Sequence, residues 1–312
     1  MKPRFTLRQL EYLVAVAETG SIALAAECIN VSSPSISAAI SQLEAELGIQ
    51  LFIRNHSRGM AMTSGGRQIF DAARQIISEA GQLHSLAAGI SERPAGPLAI
   101  GCLTTLAPYM LAMLWRGFSE TWPDVRMTTR SADQRQLLEL LDQGVIDLAI
   151  TYDLDIPPEM RFVGIASLPP CVLVGTAHPL AGEQAVSLAQ LAPLPMVLLD
   201  LPHSREYFLS MFHVLGLKPL ITARSPDPAV LRSLVANGFG YGLLNIRPVV
   251  DHAADGRPTH LLDLQGSHRP MMLGVAMRQT AHQTHNTTAF IEYLGHQASK
   301  GQLPGLGSGA TA

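Results

Sequence analysis

The sequence predicts an α/β chain in two parts: an all-α winged helix-turn-helix module, then one long helix leading into a larger α/β domain of two sheets. Three observations carry this expectation. Residues 1–65 show three short helical patterns and a hairpin with a basic tip, and residues 66–93 hold an apolar repeat in alternating steps of four and three. From residue 94 onward, strand and helix patterns alternate.

With 312 residues, 47% hydrophobic and 15% charged, and a formal charge of −3, the chain is long enough for two or three domains. That composition excludes an intrinsically disordered chain. Cys28, Cys102 and Cys171 are odd in number and outside any CxxC, which excludes a disulfide scaffold and fits reduced thiols in the cytoplasm. The stretch Met1 to Leu13 mixes charges into its apolar positions and reads as no signal peptide. Apolar runs such as Leu194 to Leu199 are too short to cross a bilayer, so no membrane partner is expected. The charge is uneven: residues 1–67 carry six basic groups against five acids, and 54–67 holds three arginines and no acid. A locally basic segment on a mildly acidic chain suits a modular nucleic-acid binder.

The first helix is expected from Leu7 to Glu18, where Leu7, Leu10, Leu13, Val14 and Ala17 recur at helical spacing after Thr6 and stop before Gly20. Ser21 caps a second, short helix whose Ala25 and Ala26 allow close approach. Ser33 then caps a third helix opened by Pro34, which runs to Leu47 and stops at Gly48. Its inward positions are Ile36, Ile40, Leu43 and Leu47, which leaves Ser33, Ser35, Ser37, Ala38, Ser41 and Gln42 on or beside the outer face. Short helix, turn and polar-faced helix is helix-turn-helix spacing. Leu51 to Ile53 and Met60 to Met62, joined through Asn55 to Gly59, read as a hairpin that sets Arg54 and Arg58 against phosphates while the third helix enters the major groove. On residues alone, an ordinary three-helix unit with a solvated loop is equally open.

This segment resembles the DNA-binding domain of LysR-type transcriptional regulators. The matching pattern is Gly20, Ser21, Ala25, Ala26, Pro34, Ser37, Leu43, Glu44, Leu47, Gly48, Leu51, Phe52, Arg54, Thr63 and Gly66. The resemblance implies DNA contacts from Ser33, Pro34, Ser35, Ser37, Ala38, Ser41, Gln42, Arg54, Arg58 and Thr63. Ser33 and Ala38 stand where the family commonly has Gln and often Arg, so direct readout here leans on hydroxyls, methyl contacts and DNA shape.

Ile69, Ala73, Ile76, Ala80, Leu83, Ala87 and Ile90 form a heptad seam, which predicts a homodimer able to engage both halves of an interrupted palindrome in double-stranded DNA. A lone amphipathic helix is the alternative. The resemblance adds pairing of dimers into homotetramers and bending of the DNA, and RNA polymerase is a further candidate partner.

Glu92 to Pro97 reads as a hinge. Strands are expected at Leu98–Cys102, Val125–Thr129, Asp147–Thr151, Phe162–Ser167, Val172–Thr176, Met196–Leu199, Ile221–Ala223, Tyr241–Asn245 and Met271–Met277. Helices fall between them at Ala107–Ser119, Arg135–Gln143, Ser204–Leu215, Ala229–Asn237 and Thr288–Ala298. Mostly parallel sheets follow. The resemblance continues through this part and implies two Rossmann-like subdomains similar to periplasmic binding proteins, with crossovers near Ile165 and Leu264. The subdomains are then 94–165 plus 265–298, and 166–264, with 299–312 a disordered Gly- and Ser-rich tail.

In open sheets, ligands sit beyond the strand carboxyl ends, where helix N-termini point. Leu103, Thr104 and Thr105 after the first strand, and His203, Ser204 and Arg205 before another helix, would clamp a small carboxylate between two helix starts, Ser204 capping its helix. Thr151, Tyr152 and Gly240 are secondary candidates. Thr104 and Ser204 as plain caps, and Arg205 paired with Glu206, are the competing reading.

No catalytic constellation, cofactor motif or metal set emerges. Gly238-x-Gly240-x-Gly242 precedes a strand and lacks phosphate-loop spacing, and His282 with His285 has no companion ligands. Cys102 lies near the expected cleft, where a small core residue is a better reading than an oxidant sensor. The expected function is a cytoplasmic, sequence-specific transcriptional regulator, not an enzyme, switched by a small organic acid in an interlobe cleft. A solute-binding protein, an enzyme on the same scaffold and a constitutive architectural binder are the alternatives. They differ, respectively, in export signal, in ligand turnover and in indifference to any metabolite.

Overall fold

The computed structural model describes residues 4–55, 59–88, 93–279 and 284–306. Two compact units form, one of Met1–Ser91 with Asp142–Val145 and one of Glu92–Leu141 with Ile146–Ala312.

In the first unit, α1 (Leu7–Thr19) starts at a capping box in which Thr6 and Gln9 satisfy each other's backbone, and it ends on Gly20 at φ 65°. Ser21 caps α2 (Ile22–Cys28). The cap of α3 (Ser33–Leu47) is Ser32 rather than Ser33: the Ser35 N–H donates to Ser32 Oγ at 3.3 Å, and Pro34 sits where no N–H is required. Strands β1 (Phe52–Asn55) and β2 (Gly59–Met62) pair antiparallel, as expected of the wing. Thr63 Oγ1 then accepts the Gly66 N–H at 2.8 Å and starts α4 (Ser64–Ala88). Leu13, Val16, Ile36, Leu43 and Leu51 are fully buried between these elements. The start of the heptad seam joins that core, with Ala73 buried and Ile69 packed beside it. This part of α4 therefore packs on its own unit, while Ile76 is exposed. The side chains of Leu83 and Ala87, and all of Ile90, lie outside the described residues.

The second unit holds two mixed sheets. The first runs β4 (Val125–Ala132), β3 (Gly96–Leu103), β5 (Leu148–Tyr152), β13 (Met271–Arg278) and β6 (Met160–Leu168). The second runs β11 (Gly242–Leu244), β7 (Cys171–Gly175), β12 (Thr259–Leu264) and β8 (Ala185–Val186), and a Met196–Tyr241 bridge joins it to the parallel pair of β9 (Pro195–Leu199) and β10 (Leu220–Ser225). The expectation of mostly parallel sheets is corrected here. β13 runs against both its neighbours, and β7 against β11 and β12, because these strands carry the chain across between lobes instead of following a right-handed β-helix-β connection. The first crossing comes after Leu168, at Pro169-Pro170, rather than near Ile165, and the second follows Leu264. Gly96 and Pro97, expected in the hinge, already pair in β3.

Helices α5 (Ala107–Thr121) and α10 (His285–Ser299) cover the first sheet, with α6 (Gln134–Asp142) after β4. The second sheet is covered by α8 (Ser204–Val214) and α9 (Pro228–Ala236), and α7 (Leu188–Leu191) is a single turn. The tail does not begin at residue 299 as expected. Leu303 is buried in the core and the Arg247 N–H donates to Gly305 O at 2.9 Å, while 307–312 lie outside the described residues.

Candidate functional site

On α3, Pro34, Ser35, Ala38, Ser41 and Gln42 are exposed, and Ser33 and Ser37 are half-buried. Gln42 Oε1 accepts from Gln9 Nε2 at 3.2 Å, which ties the outer face of α3 to α1. Thr63 is committed inward: its hydroxyl donates to Gln50 O at 2.7 Å and accepts from Gly66 N. Arg54 lies in β1 opposite Met60 with its side chain outside the described residues, and Arg58 lies wholly outside them.

Much of the recognised pattern is scaffold rather than contact surface. Glu44 reaches out of α3 to accept the N–H groups of Leu51 and Phe52, at 2.7 and 3.3 Å, and so fixes where the wing starts. Gly20 O accepts the Met60 N–H, tying the end of α1 to the second wing strand. A Cβ on Gly66 would stand 2.1 Å from Leu51 O, so only glycine lets α4 approach the wing this closely.

In the second unit, a small cavity of about 30 Å³ lies at the meeting point of the two lobes, so a ligand larger than a few atoms enters only as the lobes part. Three helices open onto it, each by a residue in its first turn or just before it and by the residue four further on: Thr105 and Tyr109 of α5, Ser204 and Phe208 of α8, Pro228 and Arg232 of α9. An α-helix stacks the Ser204–Phe208 and Pro228–Arg232 pairs on one face, whereas Thr105 stands in the turn ahead of α5. Tyr152 at the end of β5, Asn245 just after β11 and Met271 complete the rim with aliphatic neighbours, and no carboxylate lines the space.

Polar groups in this cavity are incompletely paired. Asn245 donates through Nδ2 to Leu168 O at 2.9 Å and to the Tyr207 hydroxyl at 3.3 Å, and its Oδ1 is buried without a partner. Thr105 Oγ1 is likewise buried without a well-formed hydrogen bond, although the Tyr152 phenol stands near it. Arg232 donates through Nη2 to Val250 O and His252 O, each at 2.8 Å, while its Nε is buried and unpartnered. Among the described residues no carboxylate pairs with Arg232. Burial raises the Tyr152 phenol, and it raises that of Tyr109 against the pull of the nearby Arg232 cation and a hydrogen bond with it, so both are neutral hydrogen-bonding groups at neutral pH.

Of the residues expected to bind an effector, Thr105, Tyr152 and Ser204 share this cavity. Leu103 is core. Thr104 donates its N–H to Ala132 O and does not line the space. Thr151 is buried, its hydroxyl donating to Gln134 Oε1. Ser204 is the first residue of α8 and not its cap, which is His203 at φ 65° with no side-chain capping bond. The His203 ring instead bonds to Asp155 across the lobes at 2.7 Å. Arg205 is turned away and neutralised by Asp200 at 2.8 Å and by Glu206. Gly240, at φ 141°, packs on the Pro195 carbonyl in a tight turn. Tyr109, Phe208, Arg232 and Asn245 escaped the sequence reading. For the first three the missing step was to follow each helix one turn along the same face.

Among the described residues, no group of three or more His, Cys, Asp and Glu is placed to hold a metal, and no helix is long and apolar enough to cross a membrane.

Residues 7–67 match the family model described as bacterial regulatory helix-turn-helix protein, lysR family, and residues 91–299 match the LysR substrate binding domain. The DNA-binding transcriptional dual regulator OxyR of Escherichia coli (strain K12) is 32% identical over 239 residues, which is 76% of this chain and 78% of that protein. HinK, a LysR family transcriptional regulator from Pseudomonas aeruginosa, has a crystal structure similar at TM-score 0.64 and 34% identity, covering 95% of this chain and 99% of that one. Full-length CbnR in complex with its target DNA, 22% identical at TM-score 0.68 over 94% of this chain and 100% of that one, shares the fold. The family comprises regulators of transcription, not enzymes. The chain belongs to the LysR family of DNA-binding transcriptional regulators, its helix-turn-helix unit followed by a two-lobed substrate-binding domain.

Proposed function

We propose that this regulator is switched by a small organic acid bound in the interlobe cavity, with Arg232 rather than Arg205 as the anion's partner. The observation that carries the reading is the Arg232 guanidinium, with which no carboxylate of the described residues pairs, on a cavity that no carboxylate lines. A partly desolvated cation without a counter-ion attracts an anionic ligand. The acid bridges groups from both lobes, so its binding favours one lobe arrangement by the difference in its affinity for the two. In a homodimer, and in a tetramer of such dimers, that arrangement sets the spacing of the DNA-binding units on an interrupted palindrome. Ser33, Pro34, Ser35, Ser37, Ala38, Ser41 and Gln42 face the bases, and Arg54 and Arg58 the phosphates. The cytoplasm is its compartment and RNA polymerase a partner at the promoter.

Relatives named hydrogen peroxide-inducible genes activators raise a second reading, in which a thiol senses oxidant. Here no cysteine lines the cavity, Cys102 is fully buried, and burial pushes the Cys171 thiol up to about 12, so neither offers a reactive thiolate. Footprinting on the chain's own upstream DNA, with and without acids that raise its melting temperature, tests the first reading. An acid that changes the footprint in wild type and in Arg205→Gln, but not in Arg232→Gln, supports it. A footprint changed by peroxide alone overturns it.

A further inference from the structure

We infer that the effector is a hydroxy acid: a monocarboxylate with an apolar body that also carries an uncharged hydrogen-bond donor. This rests on the acid reading above and sharpens it. The deciding group is Asn245, a residue that lines the cavity and whose buried Oδ1 is unpaired. Its orientation is fixed by chemistry. Nδ2 faces Leu168 O, a carbonyl that can only accept, so the amide cannot be reversed without setting two acceptors against each other. The atom left over is an acceptor, so a ligand group that meets it must be a donor.

An ionised carboxylate has acceptors alone. It answers Arg232 Nε, which can only donate, and leaves Asn245 Oδ1 buried and unpaired. The donor therefore belongs to a second group on the ligand. A charged ammonium is excluded as that group, because no carboxylate lines the cavity and the cation would be buried beside Arg232. An uncharged hydroxyl meets the requirement, and the Thr105 hydroxyl nearby can donate to it or accept from it. Apart from the Tyr109, Tyr152 and Ser204 hydroxyls, the remaining wall, including Leu199, Phe208, Leu244, Ile246 and Met271, is apolar and suits an aromatic or branched carbon body once the lobes part to admit it. A site with a polar group waiting for a ligand hydroxyl discriminates sharply against the analogue that lacks it.

The test is isothermal titration calorimetry of the full chain with benzoate and phenylacetate, against salicylate, para-hydroxybenzoate and mandelate, and with phenylalanine as the zwitterion. The expected result is a hydroxylated acid binding roughly tenfold or more tightly than its parent, with no binding of phenylalanine. In Asn245→Leu the preference for the hydroxyl collapses while the parent acid still binds, and Arg232→Gln loses both. If Asn245→Leu does not fold, the wild-type comparison decides alone. Parent and hydroxylated acids binding equally overturns the hydroxy-acid inference and leaves the acid reading standing. Phenylalanine binding as tightly as a hydroxy acid overturns the exclusion of a cation and with it the inference. No binding by any of these acids overturns both.

Discussion

Gly65 and Gly66 are adjacent in the first turn of α4, yet the structure assigns opposite signs to their replacement by alanine. A Cβ on Gly65 would meet Ile49 Cδ1 at 3.6 Å and Thr63 Oγ1 at 3.9 Å, ordinary contacts. Gly65→Ala therefore gains helix propensity and loses unfolded-state freedom, a stabilisation of about 0.5–1 kcal/mol. On Gly66 the same atom would lie 2.1 Å from Leu51 O and 2.9 Å from Leu51 C, both backbone. Leu51 cannot yield easily, being fully buried with its N–H held by Glu44 at 2.7 Å. The start of α4 and the wing must separate, at a cost of roughly 2–3 kcal/mol, the upper part of the usual overpacking range. Trp115 and Trp122 both lie in the other unit, so tryptophan fluorescence is blind to this change. Hydrogen exchange by mass spectrometry on the full chain is the suitable assay. Exchange in α1, α3 and β2 should rise roughly thirty- to 150-fold in Gly66→Ala and stay level or fall in Gly65→Ala. Specific DNA binding should weaken only in Gly66→Ala, with acid binding unchanged in both. Wild-type exchange rates in Gly66→Ala would show that α4 and the wing are not in the close contact on which the reasoning depends.

Three further outcomes follow from burial. Iodoacetamide in mildly alkaline buffer should label Cys28, which is exposed, at once, and Cys102 and Cys171 only after unfolding, since burial pushes the Cys171 thiol up to about 12; rapid native labelling of either would contradict their placement. Burial also holds the His178 imidazole below its ordinary value, so the unfolded chain takes up that proton first; stability is complete above about pH 6.5 and falls as pH drops from there through the folded value. His178→Gln should flatten that acid limb, read as urea midpoint against pH, and identical slopes would refute the assignment. Ending the chain after Lys300 removes buried Leu303 and should destabilise the second unit by about 1.5–3 kcal/mol, read by tryptophan fluorescence in urea; an unchanged midpoint would mean that the tail is not part of the core.

Local chemistry was legible where it is written in adjacent residues. Thr6, Ser21, and Gly20 and Gly48 at helix ends mark the first three helices to within about a residue. The lobe structure was legible too, since β-helix alternation is a pattern. Strand direction was not: nothing within Met271–Arg278 distinguishes a parallel from an antiparallel neighbour, because direction depends on where the chain has been before. Thr259–Leu264 and Ala185–Val186 escaped for a related reason. The first follows a Gly- and Pro-bearing loop and the second has only two residues, and each is a strand because its neighbours offer edges to pair with. The pattern residues of the DNA-binding unit were found without their roles. Glu44 and Gly66 matched by spacing, and only the wing standing beside α3 and α4 shows that one supplies an acceptor and the other an absence of side chain.

The two arginines show most clearly what spacing alone conceals. Asp200 precedes Arg205 by five residues, and Asp227 precedes Arg232 by the same interval. One pair forms an ion pair at 2.8 Å and the other does not. The difference lies in what each aspartate does first. Asp227 is the N-cap of α9, followed by Pro228, and its Oδ1 already accepts the N–H groups of Ala229 and Val230, at 2.7 and 3.4 Å. A carboxylate held over the first turn of its helix is drawn away from a side chain that leaves the second turn on the cavity side. Asp200 lies ahead of α8, whose cap position is His203, so its oxygens are free to meet Arg205. The capping role of Asp227 thus leaves Arg232 charged and without a counter-ion at the cavity. Freeing that carboxylate should silence the site: Asp227→Glu, too long to cap well and long enough to reach Arg232, should weaken acid binding about tenfold or more, as far as a new ion pair competes with the ligand. Unchanged affinity in that variant, with α9 intact by hydrogen exchange, would show that Arg232 is not the anion's partner.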